Sequence, residues 1–229
     1  MVSAIIVSAG RGARMNDAIR KQYMYLSGIP VLAHSVIAFD ACNAIEEIFL
    51  VVPEEDLDYC QKEILSSIKL KKRIHLVSGG VRRQDSVYNG LQAIDKNTDT
   101  VVIHDGVRPF VQPDDLMACI QGSKDFGACI LAIPASDTLK RVSESEMVKE
   151  TLDRERIWLA QTPQVFQYNL ILKAHQDARR DGYIGTDDAS LVERLGMDVK
   201  IINGSRFNIK ITIKEDLALA KALIDANLI

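Results

Sequence analysis

Short apolar runs rich in β-branched residues recur along the whole chain. Each run is apolar on both faces and bounded by polar or turn residues, which is typical of strands in the middle of a covered sheet. The runs lie at 3–8, 47–52, 73–77, 100–104, 127–133 and 198–202. Segments with helical periodicity lie between them, at 30–41, 54–67, 84–94, 113–124 and 170–181. This alternation predicts an α/β fold, a three-layer α/β/α sandwich around a mostly parallel sheet.

The size and charge of the chain limit what it can be. Its 229 residues, nearly half of them apolar, are enough for one full core, so we expect a single domain over 1–229. A net charge of −3 argues against a nucleic-acid binder. No apolar run approaches the roughly 18 residues of a membrane span, and the N-terminus lacks the pattern of a leader. We therefore predict no membrane contact. The four cysteines show no C-x-x-C spacing and are expected to be buried and reduced, which favours a cytoplasmic location.

Two segments need separate interpretation. Residues 134–162 break the alternation, and "TLKRV" and "MVKETL" predict two exposed strands around a polar turn at 143–146. Such a hairpin buries no face alone, so it either pairs with a second subunit or is an ordinary surface excursion. The tail predicts a strand near 208–213 and then a closing helix. The apolar positions of this helix are Leu217, Ala220, Leu223 and Ile224.

The stretch "SAGRGARMNDAIRKQY", residues 8–23, follows the first predicted strand and combines glycines with an excess of cations. Its cations are Arg11, Arg14, Arg20 and Lys21. Glycine lets backbone N–H groups approach phosphate oxygens, and ligands of such sheets bind at the carboxyl ends of strands. Met15 replaces the third glycine of the dinucleotide fingerprint, and Gln22 follows Lys21 where a Walker A loop needs Ser or Thr. We therefore predict a different kind of phosphate loop; a solvated basic loop is the alternative.

Several motifs, in order, resemble one enzyme family. The first is Ala9-Gly10-x-Gly12-x-Arg14-Met15 with Lys21-Gln22-Tyr23. Others lie at 79–87, 104–110, 137–142, 151–166, 186–190 and 208–212. Together they resemble the 2-C-methyl-D-erythritol 4-phosphate cytidylyltransferases of the non-mevalonate isoprenoid route. The resemblance implies a Rossmann-like nucleotidyltransferase fold with a protruding β-arm, at about 136–158, that embraces a second subunit.

The implied reaction joins CTP and 2-C-methyl-D-erythritol 4-phosphate to give 4-diphosphocytidyl-2-C-methyl-D-erythritol and pyrophosphate. The attacking phosphate monoester is already an anion, so the site needs cations more than a general base. The resemblance also implies Mg²⁺ or another divalent cation, carried mainly by the CTP phosphates. It leaves the metal ligands unassigned.

The resemblance assigns roles to individual residues. Arg14 and Lys21 would hold the triphosphate and stabilise the transition state, whereas Arg11 and Arg20 are left as surface charges. The remaining CTP contacts would come from Ala9, Gly10, Gly12, Gly79, Gly80 and Ser86. Taken alone, the two later glycines could form a plain turn and Ser86 could start a helix.

The second substrate is implied to meet a separate group of side chains. Asp105 would accept hydrogen bonds from its hydroxyls, and Arg108 would hold the Asp105 loop or reach the substrate. Thr138 and Arg154 of the arm, together with Lys210, would bind its phosphate. His104 has no partner at metal-ligand spacing and is expected to be structural.

Two other functions remain open from the sequence. A ribitol 5-phosphate cytidylyltransferase shares the loop and arm and differs in its polyol. A catalytically silent nucleotide-binding module could share the fold, although it need not keep Arg14, Lys21 and Lys210 together.

Overall fold

A computed structural model describes residues 1–10 and 20–229 of the chain. The elements of its main sheet are β1 (Val2–Val7), β4 (Glu47–Val52), β5 (Ile74–Ser78), β6 (Thr100–Asp105), β7 (Ala128–Pro134), β10 (Trp158–Gln167) and β11 (Lys200–Asn203). These seven strands run in the order β11-β7-β10-β6-β1-β4-β5. Strand β10 is antiparallel to both of its neighbours, and the other pairs are parallel. The predicted mostly parallel sheet is confirmed.

Helices cover both faces of this sheet. They are α1 (Val31–Ala41), α3 (Arg83–Ala93), α4 (Pro113–Phe126), α5 (Tyr168–Arg180) and α6 (Asp188–Arg194). The closing helix, α7 (Lys214–Asp225), instead packs in a separate, smaller cluster with Leu26, Val107 and Ile211. Because side chains alternate along a strand, Ile6 of β1 packs with α1 and α4 on one face and Ile5 packs with α3, α5 and α6 on the other. This confirms the three-layer sandwich. None of the helices in the described part of the chain is long and apolar enough to cross a membrane.

The exposed hairpin is confirmed as β8 (Lys140–Val142) paired with β9 (Val148–Thr151). A second small hairpin, β2 (Tyr25–Leu26) with β3 (Ile29–Pro30), lies before α1 and was not predicted. The four cysteines are buried and free, as expected.

Three predictions about the fold are wrong. Residues 158–167 form a sheet strand, although 158–162 were assigned to the surface excursion; the polar residues around Pro163 interrupt the apolar pattern of this strand. The predicted helix at 54–67 is a succession of 3₁₀, α (α2, Leu57–Tyr59) and π turns. The predicted strand at 208–213 is an irregular segment outside the sheet, because its amides bond to loops, as when Ile211 N–H donates to the Val107 carbonyl (2.9 Å).

Candidate functional site

A cavity of about 570 Å³ lies at the carboxyl ends of β1, β5 and β6. This edge of the sheet is where the strand order predicts a ligand site. The volume is within the range of small-molecule sites. Eight of the residues assigned from the sequence line it together: Ala9, Gly10, Lys21, Gly79, Gly80, Ser86, Asp105 and Lys210.

The other five assigned residues fall into two groups. Gly12 and Arg14 lie outside the described residues. Thr138 and Arg154 do not line the cavity; they are exposed on either side of the β8–β9 hairpin, and Arg154 donates to the Ser136 carbonyl. Arg108 Nη1 donates to the Asn208 carbonyl (2.6 Å), so this side chain holds the segment that leads to Lys210.

The two glycine loops contact each other closely. Gly79 N–H donates to the Val52 carbonyl (2.7 Å), and a Cβ added to Gly79 would lie 2.3 Å from the Ala9 Cβ. Ser86 Oγ accepts from Gly80 N–H (3.0 Å) and donates to the Arg82 carbonyl (3.1 Å). Ser86 therefore fixes the second loop as well as lying in the first turn of α3. The pair Gly79–Gly80 is more than a plain turn, because the first loop leaves no room for a side chain at Gly79.

We expect Gly79→Ala to raise the KM for CTP by at least about tenfold, since a misplacement of about 1 Å can reduce rates a hundredfold. The added methyl must push the Ala9 loop away from the cavity. Steady-state kinetics with varied CTP measures the effect. The double variant Ala9→Gly/Gly79→Ala removes the 2.3 Å contact but keeps the 3.2 Å contacts to Ser86 and Val52, so it should recover only part of the loss. A wild-type KM in Gly79→Ala would contradict the close packing.

Lys21 is placed at the cavity by its neighbours in the chain. Gln22 is buried and its Nε2 donates to the Ser8 carbonyl (2.8 Å), while Tyr23 Oη donates to Asp56 (2.9 Å). Lys21 also lies near Asp216: burial disfavours the charged carboxylate, but hydrogen bonds from Thr212 and the charge of Lys21 lower the pKa of Asp216. The short turn at 21–23 is thus tied to the end of β1.

Arg20 differs from its assignment as a surface charge. Its guanidinium lies 2.6 Å from Glu55 and 3.2 Å from Asp56, and the residue lines the cavity. Burial opposes the charged form, but the Glu55 and Asp56 carboxylates raise the pKa of Arg20. Arg20 therefore attaches the end of the first loop to the segment after β4.

Asp105 lies at the end of β6 between two cations. Its Oδ1 accepts from Arg83 Nε (2.9 Å) and its Oδ2 lies 2.6 Å from Lys210 Nζ. Burial disfavours the charged carboxylate, but Arg83 and Lys210 outweigh this and hold the pKa of Asp105 well below its ordinary value. Asp105 is therefore an ionised hydrogen-bond acceptor facing the cavity.

Arg83 was missed by the sequence reasoning. It lies within the motif at 79–87, but no role was assigned to it from the sequence. A signal was available: Arg82 and Arg83 directly precede the helix predicted at 84–94, where the macrodipole disfavours a cation. A cation at that end indicates a nearby carboxylate that compensates it, here Asp105.

His104 is structural, as expected. It is fully buried, with Nδ1 3.1 Å from Thr162 Oγ1 and Nε2 3.0 Å from the Arg108 carbonyl. Burial lowers the pKa of His104 to about 4.

The buried His104 predicts an acid-sensitive fold. Between the ordinary pKa near 6.5 and the folded value of about 4, the unfolded chain binds a proton that the folded chain does not. The free energy of unfolding should therefore fall as the pH falls through this window, by roughly 2 kcal/mol between pH 7 and 4.5 from this residue. Urea unfolding at both pH values measures it. His104→Gln should show a correspondingly smaller pH dependence, and an unchanged dependence would contradict the assignment.

A glycine-bounded cavity lined by lysines and arginines, at the carboxyl edge of a mostly parallel sheet, can hold the phosphates of a nucleotide, as the site of a nucleotidyltransferase must. The chain belongs to the 2-C-methyl-D-erythritol 4-phosphate cytidylyltransferase family, whose model matches residues 2–226. The family is thus one of CTP-dependent cytidylyltransferases, in agreement with the resemblance carried by the motifs.

Individual relatives agree over nearly the whole chain. A 2-C-methyl-D-erythritol 4-phosphate cytidylyltransferase of Pelotomaculum thermopropionicum is 45% identical over 225 residues, covering 98% of this chain and 94% of the relative. That of Syntrophus aciditrophicus is 47% identical and covers 97% of this chain and 95% of the relative. The crystal structure of 4-diphosphocytidyl-2C-methyl-D-erythritol synthase from Anaerococcus prevotii superposes with a TM-score of 0.87 at 32% identity, covering 98% of this chain and 96% of that one.

Proposed function

We propose that this cavity is where the family reaction takes place: CTP and 2-C-methyl-D-erythritol 4-phosphate give 4-diphosphocytidyl-2-C-methyl-D-erythritol and pyrophosphate. The observation that carries the proposal is the convergence of Lys21, Arg83 and Lys210 on one cavity beside the Gly79–Gly80 loop. Two polyanions must meet in this reaction, and fixed cations oppose their repulsion.

The chemical step is an in-line displacement at phosphorus. An oxygen of the substrate phosphate attacks the α-phosphorus of CTP, and the bond from that phosphorus to the bridging oxygen of the β-phosphate breaks. Pyrophosphate leaves with the electron pair of that bond. Because the second pKa of a phosphate monoester is about 6, the nucleophile is largely a dianion and no side chain needs to remove a proton.

Catalysis then depends on placed charge. We assign Lys21 to the α-phosphate region, because a compact ammonium can follow the charge that develops on the equatorial oxygens. Arg14, outside the described residues, is proposed for the leaving phosphates. Backbone N–H groups of the Ala9–Gly10 and Gly79–Gly80 loops are proposed to contact the ribose, the phosphates and the cytosine.

Asp105 and Lys210 are proposed to hold the polyol phosphate. A carboxylate offers about four lone-pair sites, and two are taken by Arg83 and Lys210. The remaining sites can accept hydrogen bonds from substrate hydroxyls. Lys210 has three N–H donors, of which Asp105 takes one, so the others can neutralise the substrate phosphate.

We propose that Mg²⁺ enters with CTP as part of the nucleotide substrate. Within 1–10 and 20–229 there is no group of three His, Cys, Asp or Glu side chains that could hold a metal ion. Both oxygens of Asp105 are already engaged by cations. Mg²⁺ commonly relies on substrate phosphates and keeps several waters, so a group of three protein ligands is not required.

We also propose a single catalytic domain over 1–229 that acts as a homodimer through its arm, at about 136–158. Val142, Met147 and Val148 of the β8–β9 hairpin are more than half exposed. A two-stranded hairpin with exposed apolar side chains gains stability when a second chain covers it. Thr138 and Arg154 would then bind substrate in the partner's site. The free, buried cysteines support a cytoplasmic location.

Pyrophosphate release tests the function. The purified protein is incubated with CTP and either 2-C-methyl-D-erythritol 4-phosphate or ribitol 5-phosphate, with and without Mg²⁺. We expect Mg²⁺-dependent release with the methylerythritol substrate alone. Preferred turnover of ribitol 5-phosphate would replace the proposed substrate, and CTP binding without release from either polyol would indicate a silent nucleotide-binding module.

A further inference from the structure

A chain of ion pairs runs from the cavity into the protein interior. Lys210 contacts Asp105 (2.6 Å), Asp105 contacts Arg83 (2.9 Å), and Arg83 Nη1 contacts Asp188 Oδ2 (2.8 Å). The other oxygen of Asp188 lies 3.1 Å from His175 Nε2. The proposed reaction uses Asp105 and Lys210 but gives Asp188 no role.

The inner end of this chain of ion pairs, at Asp188, is rigidly held. Asp188 is only 1% exposed and opens α6, where its N–H and that of Ala189 both donate to Gln164 Oε1 (3.1 Å each). Gln164 belongs to β10 and is itself buried. Asp188 is therefore fixed to the central sheet. Burial disfavours its charged form, but Arg83 and His175 lower the pKa of Asp188, so it is an ionised anchor.

At the cavity end of the chain of ion pairs, Arg83 sets the orientation of the Asp105 carboxylate. Lys210, the other cation on Asp105, has a long side chain that is 37% exposed. Arg83 instead has a planar guanidinium that presents Nε to Asp105 and Nη1 to Asp188. Because that fork is rigid, the position of Asp188 sets the angle at which Asp105 faces the cavity.

We infer that Arg83, locked by Asp188, is a positioning residue that orients the Asp105 carboxylate for the polyol phosphate. The inference rests on the proposed function, because Asp105 is taken to bind that substrate. Arg83 also occupies one oxygen of Asp105, so that Lys210 is not the sole cation compensating it. Asp188 does not line the cavity and acts on Asp105 through Arg83.

Steady-state kinetics of Arg83→Gln, Arg83→Lys and Asp188→Asn tests the inference. We expect the glutamine and asparagine variants to lower kcat/KM for methylerythritol phosphate by about tenfold to a hundredfold, as misplaced binding groups do. The KM for CTP should change by less than about threefold, since Asp105 faces the other substrate. Arg83→Lys cannot bridge both carboxylates and should be intermediate. Arg180→Gln, which removes an exposed arginine paired with Asp177 and Asp181, is the matched control and should keep wild-type kinetics.

A double-mutant cycle distinguishes positioning from direct contact. If Arg83 acts through Asp105, then Arg83→Gln should cost less than about threefold in kcat/KM when it is added to Asp105→Asn. Full additivity of the two losses would overturn the inference and indicate that Arg83 contacts substrate itself.

Stability is separated from positioning by Arg83→Gln/Asp188→Asn. This pair replaces the ion pair by two amides and leaves no buried charge unpaired, so its thermal unfolding should be closer to wild type than that of Arg83→Gln. Its kcat/KM should remain low. Recovery of kcat/KM along with stability would show a merely structural role.

An activity-independent readout is the Nε–H resonance of Arg83 in protein labelled with ¹⁵N-arginine. We expect a slowly exchanging signal in the free protein that Asp188→Asn weakens. A signal unchanged by Asp188→Asn would overturn the anchoring step, whereas a wild-type protein with that signal but no pyrophosphate release would refute the proposed function alone.

Discussion

Lys21→Ala is expected to lower kcat by at least about a hundredfold while the fold persists, because a preorganised charge at the transition state contributes that much or more. Lys21 lines the cavity from a turn that is held by its neighbours: Gln22 donates to the Ser8 carbonyl and Tyr23 donates to Asp56. The backbone should therefore keep its place when the ammonium is removed. Pyrophosphate release under saturating CTP and methylerythritol phosphate measures kcat.

The matched control is Lys96→Ala. Lys96 is exposed and follows the end of α3 that lies away from the cavity, so its removal should leave kcat unchanged. Circular dichroism and thermal unfolding of both variants confirm the fold. Near-normal kcat in folded Lys21→Ala would refute the assignment of Lys21 to the transition state.

The parallel strands could be predicted because their signal is local. A strand such as β1 is buried over its whole length, so its residues are apolar on both faces and need no information from elsewhere in the chain. Strand β10 carries Gln161, Thr162 and Gln164 as buried residues. Their partners are distant: Gln161 donates to the Ser205 carbonyl and Thr162 accepts from Asp105 N–H. From the sequence alone, a buried polar residue is predicted to be at the surface, because its hydrogen-bond partners are not known.

The residues of the site likewise comprise some that could be assigned from the sequence and one, Arg83, that could not. The rule that ligands bind at the carboxyl ends of strands predicted the edge of the sheet, and the family resemblance assigned Lys21, Gly79, Asp105 and Lys210, which the structure brings to one cavity. Arg83 was missed because its partner Asp188 is 105 positions away along the chain. Sequence spacing cannot show that α3 and α6 pack on the same face of the sheet. Only the assembled fold joins the two charges.

The proposed sharing of each site between two subunits predicts complementation between two inactive variants. Arg154→Ala removes an arm cation that we propose reaches the partner's substrate phosphate, and its homodimers should lose about a hundredfold in activity, as Lys21→Ala homodimers do. In a mixed dimer, one site carries both defects and the other carries neither. Random exchange makes about half of the dimers mixed, so an equal mixture should recover about a quarter of the wild-type activity.

The reciprocal mixture makes the interpretation unambiguous. Here the double variant Lys21→Ala/Arg154→Ala is mixed equally with wild type, after subunit exchange has been verified with a mass-tagged chain. If sites are shared, every site of a mixed dimer carries one defect, and only the wild-type dimers, about a quarter of the total, stay active. If each chain holds a complete site, about half of the activity remains, and the first mixture recovers none. A complete site in each chain, compared with shared sites, therefore gives less activity in the first mixture and more activity in the second. Residual activity near one half in the second, with none regained in the first, would place Arg154 in the site of its own chain.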